Sequence, residues 1–369
     1  MSVRFFRSNS KIFQCNVVLL DNSQFTTTFA QKIVLGKELF DLVCQRVQVP
    51  AHDKQYFGLQ CIDNEDGDVN WLNLDKPIPP TRRSQPLIYQ FAVKVFPLDP
   101  LKMDHHMQKQ ILLQVKGLLN RGKLSIPIDR YAAIDGFFVQ ATLGDFVAKQ
   151  HKKGYLEDLL GLFYCPPTSI NSDEHIDEEH YEVMVRDLHK THRGISREKA
   201  TSSALEICKG LTEYGAWMHY GGTDQSTGNE VVFCVSIHGI RICQLKSKFP
   251  EIGEVCHNFH WRDIISMFCD NAKFYMCLTD AGAADASSLT TRVFRFDKGL
   301  YSYKAAQRLL VNAQNHQEFF FEDNPERASI MRSLSLEANT LNRIRSFHSR
   351  SGSFLASKMS RSLRRGTLA

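Results

Sequence analysis

The spacing of apolar residues changes character three times along this chain. Residues 12–97 read as a small mixed lobe. FQCNVVLLD, starting at Phe13, is strand-like, Asp21-Asn22-Ser23-Gln24 supplies turn chemistry, and FTTTF alternates as a second strand. Leu39, Leu42, Val43 and Val47 then recur at helical spacing within Lys37 to Val47. YFGLQCID, VNWLNL and LIYQFAVKVF follow as extended pieces, the first two separated by a turn from Asn64 to Asp68. The order strand, strand, helix, strand, strand, strand is the ubiquitin-like pattern.

Residues 98–214 shift to helical spacing. Gln108–Leu119 is amphipathic, and Pro127 can open a helix because the N–H it lacks would be unpaired there. Ile128–Phe146 is largely apolar, Asp177–His192 forms a third helix, and Ser196–Tyr214 a fourth. Between the last two, LHKTHRG ends one helix at Gly194, and Ser196 is placed to cap the next, with Ala200, Ala204, Ile207, Cys208 and Leu211 on its apolar side. A helical bundle is expected here.

Residues 215–325 return to strands. VVFCVSI, GIRICQL, ISMFCD, KFYMCL and TRVFRFD are short runs broken by Gly, Asn and Asp. They end in a helix over Ser302–Phe321 with Ala305, Ala306, Leu309, Leu310 and Ala313 along one face. About seven strands closed by one helix is the pleckstrin-homology or phosphotyrosine-binding architecture. The predicted fold class is therefore a multi-lobe α+β chain with a basic tail.

Residues 326–369 hold ten Ser, eight Arg and only two aromatics, Phe347 and Phe354. Such a segment buries too little apolar surface to offset its ordering entropy and is expected to be largely disordered. Ile330, Leu334, Ala338, Leu341 and Ile344 nevertheless lie near one helical face, with Arg343 and Arg345 beside it. Two readings stay open: a short basic amphipathic helix that orders on a partner, or chance spacing in a solvated tail.

Charge sharpens this division. Eight Arg and one Lys against Glu326 and Glu337 give the tail +7, which leaves −2 for the rest of a chain whose total is +5. The folded body is not a basic platform, so nucleic acid is not expected as a partner. No run of about 20 apolar residues suggests a membrane span. The ten cysteines sit mostly in apolar stretches without a Cys-x-x-Cys pair, as for free thiols in a reducing, cytosolic compartment.

Several segments then carry a family resemblance. LVCQRVQVPAHDKQYFGLQCID, VNWLNLDKPI, LQVKGLLNRGKLSIP, YEVMVRDLHKTHRGISREKATSSALEICKGLTEYG and YSYKAAQRLLVNAQNHQEFFF occur in the order found in FERM domains. With them the chain resembles a FERM domain across residues 12–322. The Ser/Arg-rich tail is similar to the FERM-adjacent region of the protein four-point-one branch and of FERM-bearing tyrosine phosphatases. Departures are Glu213-Tyr214-Gly215-Ala216-Trp217 and His316-Gln317-Glu318-Phe319-Phe320, where the family commonly has Met-Tyr-Gly-Val-Asp and His-His-Thr-Phe-Phe.

The resemblance implies four lobes or segments: ubiquitin-like (12–97), helical and acyl-CoA-binding-protein-like (98–214), pleckstrin- or phosphotyrosine-binding-like (215–325), and tail (326–369). It implies a non-catalytic adaptor at the cell cortex, peripheral to the plasma membrane. Its partners would be cytoplasmic tails of transmembrane proteins, anionic phospholipids, and cytoskeletal proteins such as actin or spectrin, engaged indirectly. The alternative is the N-terminal targeting module of a longer FERM-bearing tyrosine phosphatase. A peptide groove is expected along an edge strand near Ile264–Asp270, with Ile264, Ile265, Ser266, Met267, Leu309 and Ala313 as candidate lining or plain core. Arg241, Lys246, Lys248, Arg343 and Arg345 are candidate lipid contacts, with Arg82-Arg83 and Lys152-Lys153 also available. Arg precedes Ser335, Ser346, Ser353 and Thr367 by two or three residues and Ser333 by one, so these are candidate basophilic phosphorylation sites whose charge would cancel that of the tail.

No catalytic residue, metal or cofactor is predicted. No GxxxxGK[ST], GxGxxG or GxSxG pattern occurs, nor the His-Cys-x5-Arg loop of tyrosine phosphatases. The run Asp173 to His180 lacks the His-Glu-x-x-His spacing of zinc hydrolases and reads as a solvated loop leading into an acidic helix start.

Overall fold

A computed structural model describes residues 13–29, 33–63, 65–78, 87–122, 124, 126–166, 177–245, 252–279, 289–296 and 301–322. They fall into two compact units, one ending at Ala216 and the other starting at Trp217.

The first unit opens with a five-stranded sheet. Its strands are β1 (Phe13–Val18), β2 (Gln24–Phe29), β3 (Phe57–Ile62), β4 (Val69–Trp71) and β5 (Leu87–Val93), in the order β2-β1-β5-β3-β4. Only the central pair β1–β5 is parallel. Helix α1 (Gly36–Val47) crosses this sheet and buries Leu39, Phe40, Val43 and Cys44. Alternation explains the layering: Tyr89, Phe91 and Val93 turn to the core, while Ile88 and Gln90 turn outward.

The second lobe of this unit is helical: α2 (His105–Asn120), α3 (Ile128–Leu143), α4 (Tyr155–Leu160), α5 (Glu178–Thr191) and α6 (Arg197–Lys209). The caps follow side-chain chemistry. Asp104 accepts from Met107 N–H at 2.9 Å, and Ser196 accepts from Lys199 N–H at 3.2 Å. Gly194 takes φ 82° in the α5–α6 turn, which lets its N–H reach Asp145 Oδ1 at 2.8 Å. Helix α6 ends at Lys209 rather than running on to Tyr214, because Gly210 starts a series of tight turns. The lobes are joined by backbone contacts as well as by packing. Gln114 Oε1 accepts from Val93 N–H, and Tyr214 O–H donates to Pro97 O.

The second unit holds seven antiparallel strands: β6 (Trp217–Asp224), β7 (Glu230–Ser236), β8 (Gly239–Leu245), β9 (Ile252–His260), β10 (Ile264–Asp270), β11 (Lys273–Thr279) and β12 (Leu289–Phe296). Their order is β10-β11-β12-β6-β7-β8-β9. Helix α7 (Ser302–Glu322) closes the core with Ala306, Leu309, Ala313 and Phe321, packed among Phe233, Phe274, Phe294, Phe296 and Trp261. The small Ala306 and Ala313 let the helix lie close to the sheet.

Candidate functional site

Strand β10 stands at one end of the sheet order and, among the described residues, pairs only with β11, from Ile264↔Leu278 to Asp270↔Lys273. A bulge between Ile264 and Ser266 interrupts the alternation. Helix α7 runs beside this strand and is tied to it at both ends. Gln317 Nε2 donates to Ile264 O at 2.8 Å, and the Cys269 thiol donates to Ala306 O at 3.2 Å. Residues at that helical phase, among them Ala306, Leu310 and Gln317, therefore form the wall next to β10. Leu310 and Cys269 are half-buried against the core, and Phe268 stacks on Tyr275 with centroids 4.6 Å apart.

The side chains predicted for this groove sit deeper than its lip. Ile264, Met267, Leu309 and Ala313 belong to the hydrophobic core, and Ile265 is only 3% exposed. Ser266 is 2% exposed, and its hydroxyl has no hydrogen-bond partner among the described residues. These six residues lie beneath the accessible surface; Cys269, Leu310 and Gln317 line the α7 side of the strand, and Phe268, paired with Tyr275, stands on the opposite face of the sheet. Sequence spacing marked one apolar face on α7 but did not separate its core half from its lip.

The far side of α7 carries a polar cluster that the sequence did not reveal. Asn312 Nδ2 donates to His219 Nε2 at 2.8 Å, and His316 Nδ1 donates to Asn312 O at 2.9 Å. Burial, followed by the nearby His316 and Arg308, pushes His219 down to about 3, so its ring is neutral and can accept.

The helical lobe buries an ion pair. Lys116 on α2 is fully buried and contacts Asp135 on α3, which is 2% exposed. Tyr181 on α5 donates to the other carboxylate oxygen at 3.0 Å, and the ammonium lies 4.9 Å from the Tyr131 ring centroid. Burial pushes the Asp135 carboxyl up, with Lys116 and then Tyr181 pulling it back. Three helices are thereby tied through one carboxylate. At the end of the same lobe His151 and His189 are buried beside Phe146 and Tyr155, and the buried His192 stacks on Phe137 with centroids 3.9 Å apart. Gly144 O can only accept, so His189 donates from Nε2 at 2.7 Å and its Nδ1 accepts from Tyr155 O–H at 3.0 Å. Burial pushes all three histidines below their usual range.

Of the predicted lipid contacts, Arg241 is half-buried on β8 opposite Cys234, with which its side chain hydrogen-bonds. Lys152 and Lys153 are exposed, and Lys153 pairs with Glu179 at 2.6 Å. Lys246, Lys248, Arg82, Arg83, Arg343 and Arg345 lie outside the described residues, as do Ser333, Ser335, Ser346, Ser353 and Thr367. Asp177 caps α5 by accepting from Glu179 N–H, and Glu178 and Glu179 fill its first turn. No cluster of three metal-binding side chains occurs among the described residues. All ten cysteines are free, and burial pushes Cys44, Cys208 and Cys269 up to about 12, far from thiolate chemistry at neutral pH. Among the described residues no helix is long and apolar enough to cross a membrane.

A ubiquitin-like sheet, a helical lobe and a strand-rich lobe closed by one helix define a three-lobed module. Residues 17–80 match the FERM N-terminal domain and residues 97–219 the FERM central domain. The chain belongs to the FERM family. It is 28% identical over 328 residues to Band 4.1-like protein 2 of Homo sapiens, covering 89% of this chain and 30% of that protein. It is also 28% identical over 313 residues to tyrosine-protein phosphatase non-receptor type 4 of Mus musculus, covering 84% and 31%. The chain thus spans about a third of the length of these relatives. Its fold matches the complex of the FERM and C-terminal domains of Drosophila Merlin, with a TM-score of 0.68 at 19% identity, covering 85% of this chain and 99% of that one.

Proposed function

We propose that this chain is a FERM-type adaptor whose third lobe docks an extended segment of a membrane protein's cytoplasmic tail along β10. The observation that carries this reading is the edge position of β10 beside α7. Among the described residues the strand has hydrogen-bonding partners on one side only, and a half-buried apolar wall lies next to the other. A peptide adding there gains main-chain hydrogen bonds from β10 and side-chain contact with Leu310 and Phe268. FERM proteins of the Band 4.1 family join membrane proteins to the cytoskeleton, which supports the coarser role. In this reading the chain works at the cell cortex, spectrin or actin is reached indirectly, anionic lipid is held by surface and tail cations, and tail phosphorylation weakens that hold.

The test is capture of cytoplasmic tail peptides by the full chain and by Leu310→Glu, with the unfolding transition monitored in parallel. The reading expects a tail whose capture Leu310→Glu reduces about tenfold or more while the fold is retained. Capture of every bound tail unchanged by Leu310→Glu would overturn it.

A second reading is favoured by the 28% identity to tyrosine-protein phosphatase non-receptor type 4. The same groove would then target a phosphatase domain encoded further along a longer protein. The length of the native transcript separates the two.

A further inference from the structure

The outer face of the first-lobe sheet carries an exposed apolar row. Val69 on β4 pairs directly with Ile62 on β3, and the β3–β5 register, which reaches Cys61↔Tyr89, brings Ile88 beside Ile62. These three are 43%, 64% and 58% exposed, respectively. They project opposite to Leu59, Tyr89 and Phe91, which fill the core. In the next row along the same face, Trp71 is half-buried, and a Cβ on Gly58 would meet its ring at 3.1 Å. Elsewhere this face carries Asn16, Gln60, Gln90 and Thr26, the polar surface expected of a solvated sheet. Three large β-branched residues side by side on three adjacent strands are not needed by the fold, and such patches mark contact sites.

The row runs into an acidic loop. Asp63, Glu65, Asp66 and Asp68 occupy the β3–β4 connection, directly between Ile62 and Val69. Side-chain hydrogen bonds hold the loop in shape: Asp63 Oδ1 accepts from Glu65 N–H, Asp66 Oδ1 from Asp68 N–H, and Asp68 Oδ1 from Val69 N–H. Four carboxylates beside an apolar strip repel an anionic membrane and attract a cationic partner with an apolar side.

We propose that this face docks a cationic amphipathic helix, its apolar stripe on Val69, Ile62 and Ile88 and its basic flank against the 63–68 loop. The spacing fits. Three adjacent strands span roughly 10 Å, and helical positions i and i+7 are roughly 10.5 Å apart. Leu334 and Leu341 of this chain have that separation, with Ile330 and Ile344 in phase and Arg332, Arg343 and Arg345 alongside. The proposal is independent of the β10 groove.

The probe is a fluorescent peptide of residues 328–346, titrated by anisotropy into the full chain carrying Leu334→Asp and Leu341→Asp, so that its own copy does not compete. Saturable binding that weakens with salt is expected. Ile62→Gln and Ile88→Gln, both at exposed positions, each weaken it about tenfold with the unfolding transition unchanged. A peptide with Arg332, Arg343 and Arg345 replaced by Glu does not bind. The proposal is overturned by absent binding, or by binding that ignores Ile62→Gln and Ile88→Gln. A chain dimer abolished by Ile62→Gln would assign the face to a second copy and overturn it as well, as would Ile62-dependent binding to phosphatidylserine vesicles.

Discussion

Replacing Lys116 by Met should do far more harm than replacing it together with its partners. The single change strands the Asp135 carboxyl in a site that is 2% exposed, with only the Tyr181 hydroxyl left to it among the described residues. Breaking a buried pair from one side costs about 3–5 kcal/mol, because the remaining charge stays desolvated and unpaired. Asp135→Leu strands the Lys116 ammonium instead and falls in the same range. If the two effects were independent, the pair would lose roughly 6–10 kcal/mol, comparable to the whole stability of a domain. The triple variant Lys116→Met, Asp135→Leu, Tyr181→Phe removes the charges and the hydroxyl together, and buried ion pairs replaced by apolar groups of similar volume are near neutral. A coupling of at least about 4 kcal/mol is therefore expected. Tryptophan emission cannot report this, because Trp71, Trp217 and Trp261 all lie outside the helical lobe. The assay is amide hydrogen exchange of α2, α3 and α5 by mass spectrometry, paired with urea unfolding followed at the helical circular-dichroism band. A triple variant as unstable as the single ones would refute the argument, as would a Lys116→Met loss below about 1 kcal/mol.

Three further outcomes follow from the structure. Gly239→Ala should lower the stability of the strand-rich unit by roughly 3 kcal/mol or more in thermal unfolding, since φ is 146° and the added Cβ would lie 1.9 Å from Phe259 O; a loss below about 1 kcal/mol counts against that geometry. The buried histidines should make the protein acid-sensitive. His151, His189, His192 and His219 have depressed values when folded, so the unfolded chain takes up protons first; their stability contribution is full above about pH 6.5 and is lost as pH falls below it, in the case of His219 down to about 3, at about 1.4 kcal/mol per pH unit for each histidine still neutral in the fold. Urea midpoints at pH 7.5 and 5 measure this, and His189→Gln should flatten the slope. Ser266→Ala should be neutral or stabilising by up to about 1 kcal/mol, since its buried hydroxyl lacks a partner among the described residues, whereas Ser266→Glu should unfold the third lobe.

That last contrast revises what a groove substitution can reveal. From sequence, Ser266 lies on the edge strand, and a charge there looks like a clean probe of docking. Ser266 is only 2% exposed beside the bulge, so loss of binding in Ser266→Glu would report loss of fold. Edge position was legible because the strand order follows from the ubiquitin-like, helical and pleckstrin-like succession. Side-chain direction was not, because a bulge leaves no mark in the apolar pattern.

The same limit explains the elements that periodicity passed over. β9, IGEVCHNFH, lies at the other sheet edge, leaves Val255 53% exposed, and so lacks an apolar alternation. β6 contains Gly221 and Gly222, which interrupt the pattern; a Cβ on Gly222 would sit 2.6 Å from the Phe233 ring, so glycine there makes room for a core aromatic. α4 has six residues, less than two turns, too short to display a stripe. By contrast α2, α3, α5, α6 and α7 each bury one long face and were readable from spacing. The buried Lys116 falls between these cases. Within QVKGLL it passes for a surface residue, and its partner is 19 positions away on another helix. Asp135 carried the better signal, as a carboxylate in the middle of the otherwise apolar YAAIDGFFV. A charge placed where the pattern demands an apolar residue implies a second charge facing it, and three helices held by one carboxylate are the physical result.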